Sequence, residues 1–316
     1  RVVRARRGVV LATGGIPHSK ALRAELMQDF PHSRSLVFEG NTGDGLIKGR
    51  AVGAVVDASV SNPGFWTPYS VLKKPDGSET VWIHGHMDRG KPGLIAVNSR
   101  GRRFVNESDS YHDFVMAMFR SHRDVPSIPA YLICDHRFIR KYGLGLIRPL
   151  FPRLAPYIAA GYITAGDSVV DLGRRVGIDP ATLEETIAEH NRDARSGVDR
   201  AFGRGSTAFN RFNGDPENKP NACMRPIENP PFYAVAVYPC TLGTTIGVKT
   251  DKDARALDAN ANPIKGLYAC GNDTSSVMRG FYPGPGITLG PAVVFAYRAV
   301  MHMASMASAG SGSKPA

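Results

Sequence analysis

The first clear pattern along the chain is Arg7 to Gly15, RGVVLATGG, a short β-branched apolar run that stops on paired glycines. That is the form of a strand whose end turns beneath a ligand. A helix is expected next, at Lys20–Phe30. Asn41 to Asp57, NTGDGLIKGRAVGAVVD, then places a polar glycine turn before a helix of small residues and a short strand. Strand, helix and strand in succession predict an α/β architecture.

From about Ser61 the alternation gives way to prolines, aromatics and irregular segments, and both tryptophans, Trp66 and Trp82, fall here. The expected division is an α/β domain built from residues 1–60 and 232–316, interrupted by an α+β domain at 61–231. The interruption carries one strong helix signal. Asp179 is placed as N-cap, Pro180 at the first helical position, Leu183 and Ile187 on one face, and Gly197 as the stop.

Strand pattern resumes at Phe232–Val237. Two more strands are expected around Gly247–Thr250 and Gly266–Ala269, joined by a hairpin-like connection, DKDARALDANANPIK. The last helix is expected at Pro291 to about Met303, and the small polar tail SAGSGSKPA is expected to be disordered. No internal repeat is present.

Composition narrows this picture without redirecting it. At 316 residues the chain suits two domains. With 42% hydrophobic and 21% charged residues it reads as an ordinary globular protein. No apolar run approaches the roughly 18 residues a membrane-spanning helix needs. The cysteines Cys134, Cys223, Cys240 and Cys270 form no CxxC pair, so neither a zinc site nor a disulfide framework is expected, and a reducing cytoplasm fits best. The basic opening lacks the long apolar segment of a signal peptide. A net charge of +11 raises nucleic-acid binding, but the basic clusters are short, scattered and free of aromatic platforms, which disfavours it.

Candidate chemistry concentrates at Arg279 to Val300, RGFYPGPGITLGPAVVFAYRAV. Gly290 and Pro291 suit an N-cap and first helical position, and the N–H groups of a first turn favour an anion or a polarised oxygen. Gly284 and Gly286 allow a flat ligand to approach the main chain, with Pro283 and Pro285 holding the loop in one shape. The same residues also read as a tight connection before a core helix. Just upstream, GLYACGND ends a strand on glycine and polar residues, repeating the form of LATGG.

RGVVLATGG, the NTGDG turn, KPGLIAVNSRGRRFVNES, GTTIGVKTD, PIKGLYACGN and FYPGPGITLGPAVVFAYRA together resemble successive landmarks of the fumarate reductase/succinate dehydrogenase flavoproteins. YPGPG before the last helix is similar to the 3-ketosteroid dehydrogenase branch; the histidine and Arg-Leu-Gly-Gly stretch of fumarate reductases are absent.

The resemblance implies an incomplete Rossmann-like FAD-binding domain with an inserted α+β cap domain over the substrate. It implies an FAD-dependent oxidoreductase acting on a cyclic, steroid-like ketone and serving an external electron acceptor. The Tyr282 hydroxyl and Gly286 N–H would hold the ketone oxygen, and Tyr111 would take the α-proton. Flavin contacts would come from Thr13, Gly14, Gly15, Gly271, Asn272, Gly286, Ile287, Thr288 and Leu289. Ser110 and Asp113 form a capping box that places Tyr111 at a helix N-terminus, although Tyr111 also suits an apolar face with Phe114, Val115 and Met118.

No metal site is expected. His84-Gly-His86 has ligand-like spacing but no third ligand, and reads as a surface loop. His112 and Asp113, adjacent in sequence, face different sides of their helix. The GxGxxG of a dinucleotide-binding strand–turn–helix occurs nowhere in the chain, and GLGL at Gly143 lacks the third glycine. The expectation is the C-terminal part of a larger flavoprotein, whose N-terminal part would carry the main pyrophosphate cradle and a second, base-assisting tyrosine. A reductase running the same chemistry backward and a non-catalytic fragment without flavin are the competing readings.

Overall fold

The computed structural model describes residues 3–27, 30, 33–85, 88–150 and 153–310, with side chains described as far as residue 306. The chain is mixed α/β and divides into two compact units, Arg1–Phe65 with Thr241–Ala316, and Trp66–Cys240. The chain passes between them within two strands, Gly64–Lys73 and Phe232–Thr244, rather than at the sequence-expected positions 61 and 231.

In the first unit, strand Val9–Leu11 pairs in parallel with Pro263–Ala269, in register Val9↔Leu267 to Leu11↔Ala269. Arg255–Leu257 adds an antiparallel third strand. That strand lies inside the stretch read from sequence as a hairpin-like connection. Its signal is masked because Asp251 accepts from the backbone N–H groups of Asp253 and Arg255, which looks like a turn. Helix Lys20–Leu26 is shorter than expected, and Met27 closes it with an N–H bond to the Arg23 carbonyl.

The final helix runs Leu289–Gly310, so Gly290 is not its N-cap and Pro291 is not its first residue. Gly290 N–H already donates to the Gly286 carbonyl at 2.7 Å. Pro291 is tolerated as the third helical residue because first-turn N–H groups have no intrahelical acceptor to lose. The helix covers the sheet with Phe295, Ala299 and Met303, against Ala254, Tyr268 and Val10. Residues 311–316 of the expected disordered tail lie outside the described residues.

The second unit is built on an antiparallel sheet in which Glu79–Ile83, Gly64–Lys73, Phe232–Thr244, Ala130–Asp135 and Leu94–Val97 are neighbours in that order. Leu94–Val97, the last strand in that order, is nonetheless buried at every position, so both of its faces are covered. Helices Val169–Val176 and Pro180–Ser196 supply part of that cover, packing Leu172, Leu183 and Ile187 against Ile95, Val97 and Ile133. The second helix has the expected punctuation: Asp179 accepts from Thr182 N–H at 2.9 Å, and Gly197 closes it at φ 81°.

His190, on that helix, is 1% exposed, and its Nε2 is 3.1 Å from the Arg225 carbonyl. Burial, and then the charges of Arg103 and Arg204, lower its pKa from 6.5 to about 4. Between these values the unfolded chain binds a proton that the folded chain refuses, so stability rises with pH across the window and is lost on acidification. The full effect is about 3 kcal/mol. Urea unfolding at about pH 7 and about pH 4.5 is expected to reveal this loss, and His190→Gln to reduce the slope between them.

Candidate functional site

Because strands Val9–Leu11 and Pro263–Ala269 are parallel neighbours, the turns that follow them lie at the same end of the sheet. Cys270 N–H donates to the Leu11 carbonyl at 3.0 Å, which draws Gly271–Asp273 against Thr13–Gly15. Asp273, wholly buried, completes the join. Its carboxylate accepts from Thr13 N–H, from Thr13 Oγ1 at 3.1 Å and from Gly15 N–H at 2.9 Å, while Gly45 N–H donates to Thr13 Oγ1 at 2.9 Å. Sequence reasoning missed this carboxylate. The amides of Thr13 and Gly15 are therefore committed within the protein.

The glycines here are required by space. At Gly45 an added Cβ would sit 2.5 Å from the Asp273 carboxylate, and at Gly15, with φ +80°, 2.7 Å from the Asn272 carbonyl oxygen. The sequence-expected residues Thr13, Gly15 and Asn272 thus come together around Asp273. A cavity of about 20 Å³ beside them is lined in part by Gly271, Asn272, Ile287, Thr288 and Thr244. That volume holds about one water and is too small to enclose a ring system. Leu289 is 69% exposed and does not line it. Thr244, also missed from sequence, is buried, and among the described residues its Oγ1 has no hydrogen-bond partner.

The proline–glycine corner follows from an anchored base. Arg279 reaches Asp57 at 2.7 Å and the Ser59 carbonyl at 2.8 Å, and Asn62 donates to the Gly280 carbonyl. Burial would raise the Asp57 pKa, but bonds from Ser59 and Arg279 outweigh it and hold the carboxyl far below its usual range. Tyr282 next packs edge-on against Phe65, ring centroids 5.1 Å apart, and is 7% exposed. Gly286 is exposed, at φ +94°, with no atom within 4 Å of where a Cβ would stand. It lies in a turn before the final helix, and among the described residues its N–H donates to no acceptor.

In the second unit, Tyr111 is the first residue of helix Tyr111–His122 and is 5% exposed. Ser110 caps the helix, accepting from Asp113 N–H at 3.0 Å and donating to the Asp113 carboxylate at 2.8 Å. Phe114, Val115 and Met118 are buried on the same helix, so the Tyr111 ring belongs to a packed face as well as to a helix N-terminus. His112 Nδ1 accepts from Trp66 N–H at 3.3 Å.

The loop before Tyr111 is held by ions that sequence reasoning missed. Glu107, wholly buried, accepts from Ala96 N–H at 3.0 Å, from Arg103 at 2.9 and 2.7 Å, and from Arg204 at 3.1 Å. Burial would raise its pKa, but the charges of Arg103 and Arg204 win and hold it below the usual carboxylate value. Arg89 donates to the Glu107 carbonyl at 2.6 Å and lies over the Phe114 ring. Burial pulls Arg89 down to about 10, so it stays charged at neutral pH.

His84 corrects the reading of a surface loop: it is wholly buried. Its Nδ1 is 2.7 Å from Asp88 and its Nε2 is 2.7 Å from Ser70 Oγ, so both ring nitrogens are taken. His86 lies outside the described residues. Among the described residues no group of three His, Cys, Asp or Glu is placed to hold a metal ion, and no helix is long and apolar enough to cross a membrane.

With this geometry in place, known proteins can be compared. Residues 1–289 match the FAD binding domain family. The chain is 38% identical over 312 residues to 4-oxocyclohex-2-ene-1-carboxylate 5-dehydrogenase of Sinomonas cyclohexanicum, covering 97% of this chain and 52% of that one. It is 35% identical over 314 residues to 3-oxosteroid 1-dehydrogenase of Mycobacterium tuberculosis, covering 97% and 54%. The crystal structure of 3-ketosteroid delta1-dehydrogenase from Sterolibacterium denitrificans in complex with 1,4-androstadiene-3,17-dione superposes with a TM-score of 0.86 at 36% identity, covering 95% and 54%. The chain thus spans about half the length of the curated relatives it matches. It belongs to the FAD binding domain family, within the 3-ketosteroid dehydrogenase branch of the fumarate reductase/succinate dehydrogenase flavoproteins.

Proposed function

We propose that this chain is the ketone-holding part of an FAD-dependent dehydrogenase that introduces a double bond beside the carbonyl of a cyclic or steroid-like ketone. In this reading residues 1–65 and 241–316 are an incomplete Rossmann-like FAD-binding domain, and 66–240 is the inserted α+β cap domain. The observation that carries it is Gly286: an exposed main-chain N–H at φ +94°, spoken for by no protein acceptor, four residues after a phenol on an anchored corner. Two donors on one carbonyl oxygen stabilise the enolate formed when the α-proton leaves, each contributing about 3 kcal/mol.

The residues at the strand ends fit a flavin edge. Thr244 Oγ1 lacks a partner beside Gly271 and Asn272, and Gly271, at φ +65°, brings main chain to the surface without a Cβ. Bound FAD supplies a two-electron acceptor for the β-hydride and returns its electrons to an external acceptor. Tyr111 accepts the α-proton, while Tyr282 O–H and Gly286 N–H keep the ketone oxygen fixed as charge develops on it. Ile287 and Thr288, which line the small cavity beside Gly271, meet the ring edge in this reading.

The test uses the full-length flavoprotein, loaded with FAD and mixed anaerobically with a 4-oxocyclohexane carboxylate or a 3-oxosteroid. The expected result is bleaching of the flavin's visible absorbance with formation of the enone. If neither ketone bleaches the flavin while the matching enone reoxidises reduced enzyme, the chain serves a reductase instead.

A further inference from the structure

Strand Val56–Asp57 pairs antiparallel with Gly247–Val248, so the Asp57 carboxylate leaves regular structure at a fixed point. From there one guanidinium ties two loops together. Arg279 Nη1 donates to Asp57 Oδ2 at 2.7 Å and to Ser275 Oγ at 3.3 Å, and Nη2 donates to the Ser59 carbonyl at 2.8 Å and to Ser59 Oγ at 3.2 Å. The main chain of the same residue is held as well. Its N–H donates to the Ser276 carbonyl at 3.0 Å, and its carbonyl accepts from Ser61 N–H at 3.3 Å and Ser61 Oγ at 3.0 Å. Asn62 then holds the Gly280 carbonyl, and Thr245 Oγ1 donates to the Asn62 carbonyl at 2.5 Å.

These bonds do more than tether a loop. Arg279 stands at φ +51°, a left-handed conformation that a bulky side chain adopts only where its surroundings impose it. Its side chain is nevertheless 49% exposed, which screens the ion pair and limits what it adds to stability. A strained residue held by bonds of modest energetic worth is arranged for geometry. What that geometry places is an aromatic contact: Tyr282, three residues past Arg279, meets the ring of Phe65, three residues past Asn62.

We infer that Asp57 and Arg279 form a positioning pair that sets where the Tyr282 hydroxyl stands relative to the Gly286 N–H. The inference deepens the dehydrogenase reading above and rests on it. Neither residue needs to touch the ketone; both act through the main chain of residues 279–282. Two donors grip one oxygen only while their separation is kept, and a misplacement of about 1 Å costs about 10²-fold in rate.

The test has one arm that needs activity and one that does not. In the full-length flavoprotein loaded with FAD, Arg279→Gln and Asp57→Asn are each expected to lower kcat for ketone dehydrogenation about 10- to 100-fold, with KM and the urea midpoint close to wild type. The double variant should lose no more than either single one, because both remove the same tie. In the same full-length protein, before any ketone is added, Tyr282 carries a 3-fluoro label and its fluorine resonance is recorded. Arg279→Gln and Asp57→Asn should shift or broaden that line. Arg175→Gln, a control that breaks the ion pair with Asp171 in the other unit, should leave it unchanged. A fluorine line indifferent to Arg279→Gln, losses that multiply in the double variant, a rise in KM in place of a fall in kcat, or a urea midpoint that collapses along with kcat would each overturn the inference. A wild-type enzyme whose flavin no ketone bleaches would remove the dehydrogenase reading, and the fluorine line would still decide whether the pair places Tyr282.

Discussion

Tyr282→Phe is expected to lower kcat for ketone dehydrogenation by about 10²- to 10³-fold in the flavin-loaded enzyme, the usual cost of one oxyanion donor. The phenol ring packs edge-on against Phe65, and phenylalanine preserves that contact, so the change removes a donor without opening a cavity. KM should move far less, because the bond strengthens as charge builds on the oxygen. Tyr111→Phe is expected to cost about 10²- to 10⁴-fold through loss of the base. Exchange of the substrate α-proton in D₂O separates the two roles: it should disappear with Tyr111→Phe and merely slow with Tyr282→Phe. Unchanged kcat in either variant would remove that residue from the chemistry.

The second large effect concerns folding. Glu107→Ala is expected to cost about 3–5 kcal/mol, because it strands Arg204, 0% exposed, without a carboxylate and leaves Arg103, 7% exposed, with Asp199 alone. Glu228→Ala breaks an ion pair with Arg195 whose partners are 51% and 58% exposed, and should cost under about 1 kcal/mol. Urea midpoints of the two variants make the comparison directly. Since Glu107 titrates below the ordinary carboxylate range, its contribution is complete above that range and is lost as pH falls through the folded-state value. A Glu107→Ala protein as stable as Glu228→Ala would mean that water or a rearranged loop satisfies the arginines.

What was legible in the sequence was local. Asp179, Pro180 and Gly197 act through their own backbone, so the Pro180–Ser196 helix was readable to the residue. Ser110 and Asp113 likewise set the start of the helix that carries Tyr111. The strand-end glycines were readable as points of close approach, but not what approaches them. Asp273 sits 260 residues from Thr13, and nothing in either segment announces the pairing. Glu107 reads as one acid in a charged stretch until Arg204, 97 residues later, arrives beside it. His84 looked like a loop residue because Ser70 and Asp88, which take its nitrogens, are ordinary polar residues until the chain folds. The helix start at Leu289 was missed by two residues, since glycine followed by proline reads equally well as the boundary itself.

Arg204 leaves a last consequence for variation at its position. Its side chain reaches Ser108 Oγ, Glu107 and the carbonyls of Leu94, Arg89 and Lys91, so each of a guanidinium's five N–H directions has an acceptor. A lysine would bring three donors to a place no water reaches, and at least two acceptors would go unanswered. The exchange usually regarded as mild is here closer to deletion, and this position should admit only arginine wherever the same five acceptors meet.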